Sequence, residues 1–339
     1  VTFDIDANGI VSVSAKDKGT NRISCWVKLE NWSRVDVGGK LSFERLPMGW
    51  TTAEPAAIVA PIEPMNSSVI VLTAMASTMT SGVDGTATIP IVFHSDDGDV
   101  YRIDARLGYV TSQRLDQPLR IDGDLADWPT VAGNVASGFI PISGPLDHRN
   151  SDSLSTVVEQ LRDSPAGSTR CALTHDRHAL YIAISQPAHG SVPTIVEHQS
   201  SAVYEDMIPM GEEVVEILID PTNAGTHAAA DLYHILIKRA GAVLERGIGT
   251  DPPCGPRSVW AADIEYAYKA TANAWTIELR LPFDAFDFIG ALNGTRAPGL
   301  QIWGINFTHY DANDQVYRTW SGAVHNAYDP MSLGNLMLP

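Results

Sequence analysis

The feature that most constrains this chain is its punctuation. Short runs rich in Val, Ile, Thr and Tyr recur along its length, separated by clusters of Gly, Pro, Asn and Asp. β-Branched and aromatic side chains suit a pleated, half-buried surface, and the intervening residues suit turns. Such a chain is predicted to be all-β, built of tandem antiparallel β-sandwiches with few short helices. One stretch departs from this pattern. Leu154, Val157, Val158 and Leu161 recur at helical spacing and predict a short helix over Ser153 to Asp163 that plugs one end of a sandwich.

The chain has 339 residues, enough for two or three domains, and 44% of them are hydrophobic against 19% charged. That balance is globular rather than disordered. The formal net charge of −17 repels phosphate, which argues against nucleic acid and anionic membranes as partners. No apolar run is long enough to span a bilayer. Cys25, Cys171 and Cys254 have no metal-ligand spacing and allow one disulfide at most, whose pairing the sequence does not choose. The chain opens at Val1 without methionine or a leader, so it is read as a mature form or a piece of a longer protein.

Three units are predicted. In residues 1–20, Phe3 and Ile5 and then Ile10, Val11 and Val13 flank the turn Asp6-Ala7-Asn8-Gly9, a hairpin by pattern. This stretch resembles one strand pair of the substrate-binding domain of the seventy-kilodalton heat-shock chaperones, although no chaperone ATPase motif is present. Asp4, Asp6, Asn8 and Gly9 mimic the start of a calcium loop, but Ala15 stands where such a loop needs a bidentate acid. Residues 21–110 carry strands and turns at the spacing of a seven-strand sandwich. Their run "LENWSRVDVGGKLSFERLPMGW" resembles the immunoglobulin-like domains, mostly spacers, that accompany many bacterial glycosidases. The junction from Val110 to Pro118 is polar and is predicted to be a linker.

Residues 115–339 form the largest unit. They open on Ile121-Asp122-Gly123-Asp124-Leu125-Ala126-Asp127-Trp128, and "LTHDRHALYIAI", "EEVVEILIDPTNAG", "AWTIELRLPF", "WGINFTHYDAND" and "YDPMSLGNLML" follow in order. This series resembles the family nine carbohydrate-binding modules over nearly the whole unit. The resemblance implies a jelly-roll sandwich that binds carbohydrate on a concave sheet, in a non-catalytic accessory region of a secreted or cell-surface protein.

Alternation gives the candidate site its geometry. Along Glu213 to Asp220, Val215, Ile217 and Ile219 share one face, and Glu216, Leu218 and Asp220 share the other. The resemblance makes the second face the sugar-binding one and gives Glu216 the role of hydrogen-bonding hydroxyls, for which a carboxylate is a strong acceptor. A solvated strand face is the alternative. His234 stands where the family has an arginine and Thr308 where it has a glutamine, while Asn306, Thr308 and Tyr310 alternate onto one face. The family's two platform tryptophans are absent, leaving Tyr204 and Tyr328 as replacements. Trp320 matches a family tryptophan near the cleft, with a core role as its alternative.

The resemblance implies a structural calcium near the loops, which takes hard oxygen donors, and Asp122, Asp124, Asp127 and Asp220 are its candidate ligands. Capping of backbone N–H groups in turns explains the aspartates equally well. His175 and His178 read as a hairpin turn rather than a zinc site. A few relatives of this sandwich hold haem between the sheets through Met and Lys, and that resemblance raises a haem carrier, through Met207, Met210 and Lys238, as a third idea. No nucleophile elbow, phosphate loop or dinucleotide fingerprint is found, so the chain is expected not to be an enzyme. The competing expectation is a structural or assembly module that has lost its sugar ligands and binds protein partners.

Overall fold

A computed structural model describes residues 11–15, 22–76, 84–129, 131, 133–141, 169–187, 213–221, 223, 232–238, 243–248, 263–271, 274–286, 301–311, 316–321 and 333–339. Among these residues the regular structure is strand, with two short 3-10 turns at Leu125–Asp127 and Phe283–Ala285. The all-β expectation holds. The helix predicted over Ser153 to Asp163 lies outside the described residues, as does the turn of the predicted first hairpin. Val11–Ala15 pairs antiparallel with Arg22–Asn31, so this part of the first unit joins the sheet edge of the second.

The described residues form three sheets. A four-stranded sheet takes the order Val11–Ala15, Arg22–Asn31, Asn66–Ala76, Trp50–Thr51. A six-stranded sheet takes the order Val135–Ala136, Arg170–His175, Ala179–Pro187, Ala274–Pro282, Glu265–Ala270, with Gln113–Arg114 pairing with Arg170–His175. The third sheet has eleven strands and runs through both halves of the molecule. Its C-terminal half carries Leu232–Lys238, Val214–Asp220, Gln301–Asp311 and Gly334–Leu338 in that order. Its N-terminal half continues through Val100–Thr111, Thr86–Ser95, Val37–Phe43 and Ala57–Ile62.

Each half of the long sheet covers a core. In the C-terminal half Val215, Ile217, Ile219, Ile235, Ile305 and Phe307 face Leu173, Ile182, Ile184, Ile277 and Leu279 of the six-stranded sheet. All are fully buried, and each large aliphatic side chain withdrawn from water contributes about 1.5–3 kcal/mol. In the N-terminal half Ile23, Cys25, Val27 and Leu29 pack on Leu41, Ile89, Ile91, Phe93 and Leu107.

The two halves are not joined by a free tether. Gly334–Leu338 pairs antiparallel with Gln301–Asp311 on one side and parallel with Val100–Thr111 on the other, with Leu336 opposite Val110. Ile302 and Met337 belong to the N-terminal core, and Val110 to the C-terminal one. The segment expected to be a polar linker is built into this seam. Ser112 is fully buried; its N–H donates to Met337 O at 2.8 Å and its hydroxyl lies 2.8 Å from His175 Nδ1. Gln113–Arg114 pairs parallel with Arg170–His175. Polar side chains read as a linker because composition does not reveal where the backbone groups find partners.

Trp320 locks the seam. Its indole N–H donates to Asp84 O at 3.1 Å, and its ring lies against two glycines. A Cβ at Gly334 would come within 2.6 Å of that ring, and one at Gly108 within 3.1 Å. Arg106 closes the same corner, donating to Trp320 O at 3.2 Å and to Gly138 O at 2.6 Å.

Candidate functional site

The face of the long sheet turned away from the C-terminal core is polar. Register sets its rows: Glu216 lies opposite Leu236 and Thr308, and Leu218 opposite His234 and Asn306. Alternation sends their apolar neighbours into the core, so Glu216, His234, Asn306 and Thr308 share this face, as the sequence predicts. They are not solvent-exposed: Glu216 is 1% accessible and the other three 0%. The alternative of a solvated strand face therefore does not hold.

Glu216 is held by its surroundings. Its Oε1 accepts a hydrogen bond from the Tyr317 hydroxyl, and its Oε2 lies 3.4 Å from His234 Nε2. Asn306 has a fixed orientation, because its Oδ1 accepts from Thr319 Oγ1 at 3.0 Å and from the Ser321 N–H at 3.1 Å. A backbone N–H must meet an oxygen, which settles which end of the amide is which. The Nδ2 of Asn306 and the Oγ1 of Thr308 are buried and have no hydrogen-bond partner among the described residues. A buried polar group left unpaired costs about 1–3 kcal/mol.

The aromatic groups of this face sit at one end. Tyr310 and Tyr317 are directly opposite in register, with ring centroids 5.6 Å apart and planes tilted by 44°. Both are only partly buried, while the polar row beside them is closed. Tyr310 packs against the small apolar cluster of Val214 and Leu236. Trp320 does not share this face: it is fully buried in the core, edge-on to Phe307 at 5.8 Å. Tyr204 and Tyr328 lie outside the described residues, as do Met207 and Met210 of the haem idea. Lys238 is described, at the partly buried end of its strand.

The acidic candidates divide between two places. Asp122, Asp124 and Asp127 belong to the loop that opens the third unit, and all three are exposed. Asp122 Oδ1 accepts from the Asp124 N–H, and Asp124 Oδ1 from the Ala126 N–H, so both cap turns. Asp122 also pairs with Arg120 at 3.3 Å and Asp124 with Lys269 at 3.0 Å. The Lys269 ammonium, with help from the Ala126 N–H, holds the Asp124 carboxyl below its ordinary range. Asp220 lies on the long sheet, buried, in register with Gly304. Among the described residues no three His, Cys, Asp or Glu side chains form a group that could hold a metal ion.

Gly304 is small for a visible reason. A Cβ there would lie 3.2 Å from Asn223 Oδ1 and 3.3 Å from Asp220 Cβ. Asn223, at φ 44°, folds back over the strand and donates to Asn335 Oδ1 at 3.1 Å. The His175 pair reads as a turn: Asp176 Oδ1 accepts from the N–H groups of His178 and Ala179 at 2.6 and 2.8 Å. Its other oxygen accepts from the Tyr181 hydroxyl at 2.8 Å.

Two residues that organise these regions were not singled out from sequence. Glu278, fully buried on the outer side of the six-stranded sheet, accepts from the N–H groups of Asp122 and Gly123 at 2.7 and 2.5 Å and from the Trp128 indole at 2.5 Å. This single carboxylate anchors the "IDGDLADW" loop. Tyr317 is the other. The hairpin pattern of "THYDANDQVYRT" places it opposite Tyr310, and that alternation was the available signal.

No family model matches the chain. Solved structures with some similarity to the chain include a family 9 carbohydrate-binding module from Caldicellulosiruptor kristjanssonii in complex with cellotriose. It is 15% identical, the match covers 67% of this chain and 91% of that one, and the TM-score is 0.40. A family 9 module from the same organism in complex with glucose matches at 14% identity, covering 68% and 95%, with a TM-score of 0.42. At that distance the chemistry of the site rests on this chain's own residues.

Proposed function

We propose that the chain is a non-catalytic accessory region that binds a neutral carbohydrate on the polar face carrying Glu216, His234, Asn306 and Thr308. The observation that carries this reading is the pair of buried, unpartnered groups, Asn306 Nδ2 and Thr308 Oγ1, beside the fixed carboxylate of Glu216. An amide donor and a hydroxyl that both donates and accepts suit sugar hydroxyls. Native folds seldom leave such groups unpaired, and a ligand rich in hydroxyls supplies what they lack. A role outside the cell, as part of a larger secreted or surface protein, belongs to the same proposal. No helix among the described residues is long and apolar enough to cross a membrane.

The second reading, an assembly module whose partner is a protein, draws on the burial of the same four residues. Calorimetric titration of the folded chain with glucose and cellotriose separates the two. Binding that Thr308→Val or Asn306→Ala removes, and that Glu216→Ala weakens by roughly tenfold or more, supports the sugar site. No heat from either sugar at millimolar concentration leaves the assembly module as the better reading.

A further inference from the structure

A sugar site needs an aromatic surface, because the C–H face of a pyranose is apolar and packs on a ring. The described part of the face offers one pair of rings. Tyr310 and Tyr317 stand side by side on neighbouring strands, tilted rather than coplanar, and they are the partly accessible end of an otherwise closed polar face. Their row follows the row of Glu216, Thr308 and Thr319 at a spacing of two residues, about 7 Å along the strands. The unpaired Thr308 hydroxyl lies one row from the tyrosines, in the closed part of the face.

We propose that Tyr310 and Tyr317 form the stacking platform of the site and that Tyr317 is also the positioning residue for Glu216. This inference rests on the carbohydrate reading above and names the residues on which the sugar ring would stack. The tilt makes the pair a wedge: one ring lies under the sugar and the other walls its edge. The Tyr317 hydroxyl donates to Glu216. Glu216 is oriented by Tyr317 on one oxygen and faced by His234 on the other.

The test titrates the whole chain with glucose and cellotriose, and compares Tyr317→Phe and Tyr310→Ala with the parent. Tyr310→Leu stands in if the alanine variant fails to fold. Tyr317→Phe keeps the ring and loses the bond to Glu216, so the affinity for the neutral sugar should fall roughly tenfold. Tyr310→Ala should lower it about fivefold or more. A purely structural role for Tyr317 would lower the melting temperature and leave the Kd of the folded protein unchanged, and that outcome overturns the assignment. Unchanged affinity in both tyrosine variants, alongside loss of binding in Thr308→Val, overturns the platform and leaves the carbohydrate reading standing. Absence of neutral-sugar binding by the parent overturns both.

Discussion

Replacing Thr308 by valine reverses the usual expectation for a buried substitution. Thr308 is fully buried, and its hydroxyl has no partner among the described residues. Valine keeps the β-branch and nearly the same shape, so the strand and its packing are retained. What is removed is the cost of an unpaired buried hydroxyl, about 1–3 kcal/mol. The ligand-free variant should therefore be more stable than the parent. With an m value of about 3 kcal/mol/M in urea, the midpoint should rise by about 0.3–1 M. Thr319 provides the control. It lies directly opposite Thr308 and is equally buried, but its hydroxyl donates to Asn306 Oδ1 at 3.0 Å. Thr319→Val removes a made bond and should lower stability by about 0.5–1.5 kcal/mol. Urea melts of the two variants, followed by tryptophan fluorescence, measure both signs. If Thr308→Val destabilises as much as Thr319→Val, the Thr308 hydroxyl is satisfied in the fold and the argument for a waiting site fails.

Residues 115–339 expressed alone should be less stable than a chain that keeps residues 84–111, because Gly334–Leu338 loses its parallel partner and Trp320 loses Asp84 O; equal denaturation midpoints for the two chains would refute this. The Tyr181 phenol, pushed up to about 12 chiefly by burial and then by Asp176, stays protonated in the fold above its ordinary value of about 10. Its stabilising contribution is complete below about pH 10 and is lost as pH rises toward 12, so Tyr181→Phe should flatten the alkaline limb of the stability curve. Burial raises the Cys25 thiol to about 12 and raises Cys171 further, so a Cys254→Ser variant should show no Ellman-reactive thiol when native and two when denatured. Calcium at the Asp122 to Asp127 loop is checked by melting with and without chelator: a rise in melting temperature with millimolar calcium supports it, and superimposable curves remove it.

The sequence by itself determined the all-β class, because strand-forming runs and turn residues alternate along the chain and leave little room for anything else. It also determined which side chains share a face. The period of two along Glu213 to Asp220 sends Val215, Ile217 and Ile219 to the core and Glu216 to the other side, whatever the strand pairs with. It did not determine partners. That Tyr317 holds Glu216, or that Glu278 gathers the N–H groups of Asp122 and Gly123, depends on strands far apart in sequence lying in one register. The exposure of the face was equally out of reach, since alternation distinguishes two faces but not which of them is covered. Nor could composition reveal that the polar segment after Val110 is a strand seam. Its hydrogen bonds go to Met337 and His175, and only the tertiary structure brings those groups alongside it.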